Sequence, residues 1–201
     1  MKRLGDLRRA DWIVRESDDA VAERLCMAFH YSGGAAKTSV YVHGLFPRES
    51  FWEADCMGAA LWMPPTIATA RAVAAEDHNG VLALSRLVVD PSVPRNGATF
   101  LLGRAMRLID RARWPVLVTF ADTWRGHTGA IYRATGWRDD GLGQPKAVFT
   151  RNGRMMSTKN GTKTRNYAQM IAMGCTYEGS YPKRRFVHDV RPMISLERNA
   201  A

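Results

Sequence analysis

The chain reads as an α/β protein with a mixed, mostly antiparallel sheet, a central βαβ unit and helices on both faces. Three observations predict this. The stretch "VLALSRLVVD" (81–90) is almost wholly apolar, as expected of a strand covered on both sides. A Pro/Asn/Gly turn, "PSVPRNG", leads into a helix from about Ala98 to Arg111, with Leu101, Leu102, Ala105, Leu108 and Ile109 along one side. A second apolar strand, "WPVLVTFAD", follows, so residues 81–121 form strand, helix and strand, and the two strands should be parallel neighbours.

The other elements follow in order. "DDAVAERLCMAFHYSGG" has an Asp near its start and glycines at its end, the punctuation of a helix. Strands are expected over Thr38–Phe46 and Ala54–Pro65, joined by the polar turn "PRES" and stopped by the proline pair. An Ala-rich segment near Thr66–Glu76 reads as helical, "TGAIYRAT" as a short helix, and "KAVFTRN" as a last strand. Beyond Arg151, "RNGRMMSTKNGTKTRN" and "YPKRRFVHDVRP" read as a basic arm, mobile or facing the substrate. With 201 residues, 46% of them apolar, the chain is expected to form a single domain over 1–201 that carries this arm.

The formal net charge of +10 favours a polyanionic partner or an acidic substrate such as coenzyme A. No apolar segment follows the basic start, and no stretch approaches the roughly 18 apolar residues of a membrane span. Cys26, Cys56 and Cys175 are widely spaced and give neither a disulfide framework nor a zinc pattern. The expected setting is a reducing cytoplasm, with no membrane partner.

Candidate site residues cluster around the βαβ unit. Its first turn, with Arg95, Asn96 and Gly97 ahead of a helix N-terminus, suits an anion. Arg86 interrupts an apolar strand, flanked by Leu84 and Val88 on its own face, and a buried guanidinium needs an acid or an anionic ligand. Asp122, at the end of the neighbouring strand, is the natural partner, either bracing the sheet or facing a ligand at the carboxyl edge. Tyr132 follows ten residues later and by itself reads as a core tyrosine, and His127, in the flexible corner "GHTG", reads as a base, a ligand or a helix-start residue. His30 and Tyr31 adjoin at a helix end, where they could bind a metal.

"LSRLVVDPSVPRNGATFLLGRAMRLI" with "GAIYRATGW" resembles the GCN5-related N-acetyltransferase (GNAT) fold over roughly residues 80–140. In the phosphate loop, Pro94 and Thr99 depart from that family's pattern and Gly97 keeps it. A narrower resemblance spans about residues 26–188. "FHYSGG", "SRLVVD", "NGATFLL", "ADTWRGHTGAIYRATGW" and "YPKRRFV" together resemble the Mom family of phage DNA-modification proteins. That resemblance implies conversion of DNA adenine to N6-(carbamoylmethyl)adenine, which blocks restriction endonucleases, by a phage-encoded transferase in the bacterial cytoplasm. It implies Arg86, Asp122 and Tyr132 as catalytic residues, with Tyr132 as general acid. Val88, Arg95, Asn96, Gly97 and Thr99 would line the site of acetyl-CoA or another small donor, Thr99 keeping the hydroxyl of the family's serine. His30 and Tyr31 match a pair associated with iron.

The implied partner is double-stranded DNA, with the target base extruded because N6 is unreachable inside a duplex. Trp124 would stack on that base and the corner around His127 would leave room for it. Lys159, Lys163, Arg165, Lys183, Arg184 and Arg185 are the expected phosphate contacts. A homodimer is compatible with this reading. Two alternatives stand beside it: an ordinary N-acetyltransferase using acetyl-CoA on a small amine or protein amino group, and a non-catalytic nucleic-acid-binding protein.

Overall fold

The computed structural model describes residues 5–34, 38–160 and 162–191. The start of the basic N-terminal stretch and Pro192 lie outside them. The chain runs β1 (Trp12–Glu16), α1 (Asp19–Phe29), β2 (Tyr41–Pro47), β3 (Gly58–Met63), α2 (Ile67–Val73), β4 (Val81–Val89), α3 (Gly97–Leu108), β5 (Val116–Asp122), α4 (Ala130–Ala134) and β6 (Arg138–Leu142). It continues through β7 (Lys146–Arg151), β8 (Arg154–Met156), β9 (Lys159–Asn160), β10 (Lys163–Thr164), α5 (Tyr167–Ala172), β11 (Thr176–Tyr181) and β12 (Lys183–Asp189). Seven strands form the main sheet in the order β1-β2-β3-β4-β5-β12-β6. Within it β4 and β5 are the parallel pair and the other neighbours are antiparallel. The expected fold class holds.

Each face of the sheet is covered by helices whose apolar spacing the sequence dictates. Leu101, Leu102, Ala105 and Met106 of α3 pack with Leu82, Leu84, Leu117 and Phe186 on one face, and Tyr132 of α4 adds to that layer. Ala22, Leu25 and Cys26 of α1, spaced three and four apart, cover Val42, Leu61 and Val88 on the other. Asp18 caps α1, its carboxylate accepting from the Val21 amide at 2.7 Å. Each fully buried leucine contributes roughly 1.5–3 kcal/mol relative to exposure.

Two local features shape the centre. The β4–β5 pairing covers only Val81–Ala83 against Val116–Val118, after which the strands part. Opposite, β4 carries a bulge: Leu61 pairs with Arg86 but Trp62 with Leu84, leaving Ser85 as the extra residue, its hydroxyl bonded to the Leu61 carbonyl at 3.0 Å. A one-residue bulge exchanges the faces of everything beyond it. Leu82 and Leu84 therefore face α3, whereas Val88 faces α1. The expectation that Leu84, Arg86 and Val88 share a face is corrected for this reason.

The stretch beyond Arg151 is also not an arm. Strands β7, β8 and β11 form a second sheet, β9 and β10 a small hairpin, and α5 closes a minor core of Phe149, Met170 and Cys175. The chain then returns as β12 into the main sheet, between β5 and β6. "KAVFTRN" therefore belongs to the inserted sheet, and the last main-sheet strand is "KRRFVHD". The strands β1 and β6 were not expected, and the strand expected from Ala54 begins at Gly58 after a 3-10 turn at Glu53–Asp55.

Phe186 of β12 is fully buried among the α3-side residues. Phe186→Ala is expected to cost about 3–5 kcal/mol of unfolding free energy, read by denaturant titration. A solvated arm would show almost no loss.

Candidate functional site

Where β4 and β5 part, β5 ends on Asp122, only 3% exposed although it carries a carboxylate. The Tyr31 hydroxyl, from the turn after α1, donates to its Oδ2 at 3.4 Å, and the Lys183 ammonium, directly across on β12, lies 3.4 Å from the same oxygen. Among the described residues Oδ1 has no hydrogen-bond partner. Tyr31 stacks on His30 with ring centroids 4.5 Å apart and meets His127 edge-on at 5.6 Å. Arg125 bridges Tyr31 and Trp124 by lying over both rings. The glycines of "GHTG", Gly126 and Gly129, both adopt left-handed backbone (φ 71° and 76°), which turns the chain sharply beneath this cluster. A Cβ on Gly129 would also meet the Phe186 ring at 2.1 Å.

Arg86 does not pair with Asp122. It donates to the carbonyls of Gly34 (3.1 Å) and Ser85 (2.7 Å), tying the loop after α1 to the bulge. The strands have already separated at this level, so an arginine beyond the bulge no longer abuts the end of β5. Lys183, expected only as a phosphate contact, takes the role of Asp122's cation.

The protonation pattern follows from burial. Tyr31 is pushed up to about 12, first by burial and then by the charge of Asp122, so it stays a neutral donor. His30 is pushed down to about 4 by burial and by the positive charges of Arg86, His127 and Lys183. Tyr132 lies across the gap with its hydroxyl near Thr119; burial raises its pKa and keeps the phenol protonated. The Thr119 hydroxyl itself donates to the Leu84 carbonyl at 3.1 Å, a single strut where the ladder has stopped.

Iron is not supported by this arrangement. Among the described residues no three His, Cys, Asp or Glu side chains come together in a group able to hold a metal. His30 Nδ1 is engaged by the amide (3.2 Å) and hydroxyl (2.8 Å) of Ser32, and the charges of Arg86, His127 and Lys183 act on the ring against a further cation.

On the other side of the sheet lies a cleft of about 810 Å³ between α3 and α4, lined in part by Asn96, Thr99, Gly103, Arg104, Arg107 and Thr135. Asn96 sits at the start of α3 in left-handed backbone, with no side-chain cap, so the first amides of the helix lack that partner. Gly97 is required there, because a Cβ would lie 2.2 Å from Val93. Of the expected cradle, Asn96 and Thr99 reach the cleft. Arg95 turns away to pair with Asp6 at 3.2 Å, and the Val88 side chain is buried under α1. Arg104 and Arg107 were not anticipated. The signal was present, since 96, 99, 100, 103, 104, 107 and 111 recur at helical spacing.

Among the expected phosphate contacts, Arg184 and Arg185 are paired with Asp139 (2.8 Å) and Asp140 (2.6 Å) of β6. Lys159, Lys163 and Arg165 form no ion pair among the described residues.

A seven-stranded, mostly antiparallel sheet whose parallel β4 and β5 part after three residue pairs is the architecture of the GNAT acetyltransferase fold. Solved structures agree. The ribosomal-protein-S18-alanine N-acetyltransferase of Escherichia coli is similar with a TM-score of 0.52 and 10% identity, over 89% of this chain and 94% of that one. A GNAT family acetyltransferase from Elizabethkingia anophelis with acetyl-CoA bound gives 0.53 and 8% identity, over 90% and 100%. The IAA acetyltransferase from Bacillus cereus gives 0.52 and 9%, over 89% and 99%. No curated protein matches the sequence. The sequence profile of the Mom protein family matches residues 11–191, and the chain belongs to that family. It is accordingly a transferase. Among the described residues no helix is long and apolar enough to cross a membrane.

His30 shares its depressed pKa with His43, a fully buried residue that burial alone pushes down to about 4. Both lie below the ordinary 6.5, so the unfolded chain binds more protons between about 4 and 6.5. Stability is thus expected to fall as pH falls through that window. Thermal unfolding followed across it should show the midpoint dropping, with a shallower slope for His43→Leu.

Proposed function

We propose that this chain modifies the N6 position of adenine in DNA, forming the N6-(carbamoylmethyl) derivative and so shielding the DNA from restriction endonucleases. The carrying observation is Asp122, an almost fully buried carboxylate at the open end of the sheet, one of whose oxygens has no hydrogen-bond partner among the described residues. An exocyclic amine is a neutral donor and a weak nucleophile, and an immobile carboxylate oxygen is what orients it and draws off its proton. Tyr31 and Lys183 hold the other oxygen, and the Lys183 ammonium faces the buried carboxylate at 3.4 Å. The half-buried Trp124 and the glycine corner around His127 offer a stacking surface and space for an extruded base. Arg86 acts as a positioning residue, fixing the Tyr31 loop through Gly34.

The cleft on the α3 face fits a coenzyme A-type donor. The uncapped α3 amides suit a pyrophosphate, and Arg104 and Arg107 suit phosphates. When bound, a donor leading to the carbamoylmethyl product would present a methylene carbon that carries the leaving group, since attack on a thioester's acyl carbon would give an N-acyl adenine instead. Tyr132, protonated and lying on the α3 side of the gap, would give its proton to the leaving group. The setting this implies is a phage-encoded enzyme acting in the bacterial cytoplasm. The same cleft also favours a second reading, plain N-acetyl transfer to a small amine or protein amino group.

The test is mass spectrometry of nucleosides from plasmid DNA co-expressed with the wild type or Asp122→Asn. A deoxyadenosine about 57 Da heavier in the wild type alone is the expected result, given that the base must be reached outside the stack. A species about 42 Da heavier would mean base acetylation instead. Unmodified DNA together with acetyl-CoA turnover on amines would replace this reading with the second.

A further inference from the structure

The insert between β6 and β12 contains a groove that the chemistry above leaves unused. It has a volume of about 530 Å³ and is lined in part by Lys146, Phe149, Lys159, Arg165, Tyr167 and Tyr177. Three of its rings touch one another: Phe149 with Tyr167 at 5.8 Å, Phe149 with Tyr177 at 5.4 Å, and Tyr167 with Tyr177 at 5.4 Å. Phe149 is buried and anchors the group, whereas Tyr167 is 58% and Tyr177 40% exposed. Tyrosines that merely fill a core are not left open in this way.

The charges around the rings are equally one-sided. Over residues 146–181 the sequence has six lysines and arginines against one carboxylate, Glu178, which is engaged by the Thr150 hydroxyl. None of those six cations forms an ion pair among the described residues. Arg165 is instead oriented by the Lys159 carbonyl at 2.9 Å. By contrast, Arg133 of α4 and Arg138, Arg184 and Arg185 of the main sheet each form an ion pair, sharing Asp139 and Asp140 between them. Exposed aromatic faces ringed by unpaired cations match a nucleic-acid strand, whose bases stack while its phosphates meet the ammonium and guanidinium groups.

We infer that this groove is a second DNA site, in which Tyr167 and Tyr177 stack an unpaired base of the strand while Lys146, Lys159 and Arg165 hold its phosphates. The inference rests on the DNA reading of the first site and adds a separate contact. The two are joined by the chain itself. Strand β11 carries Tyr177 and leads through Pro182 to Lys183, which touches Asp122. Six residues of extended chain span at most about 20 Å, so the stacked base lies within a few nucleotides of the target. A base held there would keep the strand open beside the extruded adenine and offset part of the cost of unpairing. Stacking is indifferent to base identity, so the groove adds affinity for opened DNA without adding a sequence preference.

Fluorescence anisotropy of a labelled single-stranded oligodeoxynucleotide and its duplex, with the full chain, tests this. Tyr167→Leu and Tyr177→Leu should each weaken single-strand binding about 5- to 150-fold, the range measured for loss of one base–aromatic stack, and Tyr167→Phe should restore it. Lys159→Gln should weaken binding and lower its salt dependence. Each variant is checked by its circular dichroism and unfolding midpoint. Leucine variants that are folded and bind single strands within about twofold of the wild type, against the stacking range, would overturn the platform while leaving the first site standing. A wild-type chain that binds neither oligonucleotide would overturn the DNA reading as a whole.

Discussion

The parting of β4 and β5 is the constraint on which the rest depends. Parallel strands that stayed paired to their ends would bury every backbone amide in a closed ladder, and the two faces of the sheet would be sealed from each other. Here the ladder stops after Ala83 and Val118, and Thr119 alone spans the opening by donating to Leu84. The Ser85 bulge is the cause on the β4 side: it bends the strand, raises its twist and turns Arg86 toward α1. Every functional group described above is placed with respect to that gap, with Asp122, Tyr31 and Lys183 on one side and Tyr132 and the cleft on the other.

The main elements around the gap could be read directly. The β4–α3–β5 unit was visible because a continuous apolar run, a Pro/Gly turn and a 3.6-residue period leave few alternatives. Asp122 was visible because an acid ending an apolar strand must either brace the sheet through a cation or face a ligand. What stayed hidden depends on non-local geometry. A bulge is one extra residue relative to a partner strand, and nothing in "LSRLVVD" marks Ser85 as that residue, so Arg86 was assigned to the wrong face and to the wrong partner. β12 was hidden for a different reason. "KRRFVHD" buries only Phe186 and Val187 between charges, and a strand whose cations are neutralised by another strand looks like a solvated arm until that strand is found. The remaining gap, the aromatic groove, joins residues from Lys146 to Tyr177, and no local spacing announces it.

The distribution of cations separates structure from recognition. A formal charge of +10 says only that a polyanion is welcome. Once the pairs are assigned, the β6 and β12 arginines are largely occupied in holding an edge strand to the sheet, each contributing little because most are partly exposed. Among the described residues, cations without an ion pair include Lys146, Lys159, Lys163 and Arg165 of the insert and Arg104 and Arg107 of α3. On the proposed reading the first group would meet the phosphates of a DNA strand and the second those of a nucleotide donor.

This division also explains why Lys183 rather than Arg86 is the cation at Asp122. A buried carboxylate needs a compensating charge to remain ionised, yet an arginine in bidentate contact would claim both oxygens and leave none for a substrate. A lysine is a point charge on a flexible stem. Lys183 approaches Oδ2 at 3.4 Å without occupying Oδ1, and it is itself half in solvent, so it can follow the carboxylate or a passing phosphate. Tyr31, kept neutral by burial and by that same carboxylate, adds a donor that cannot be lost at physiological pH. Among the described residues Oδ1 is left without a hydrogen-bond partner, and on the proposed reading it is the oxygen that would meet the amine.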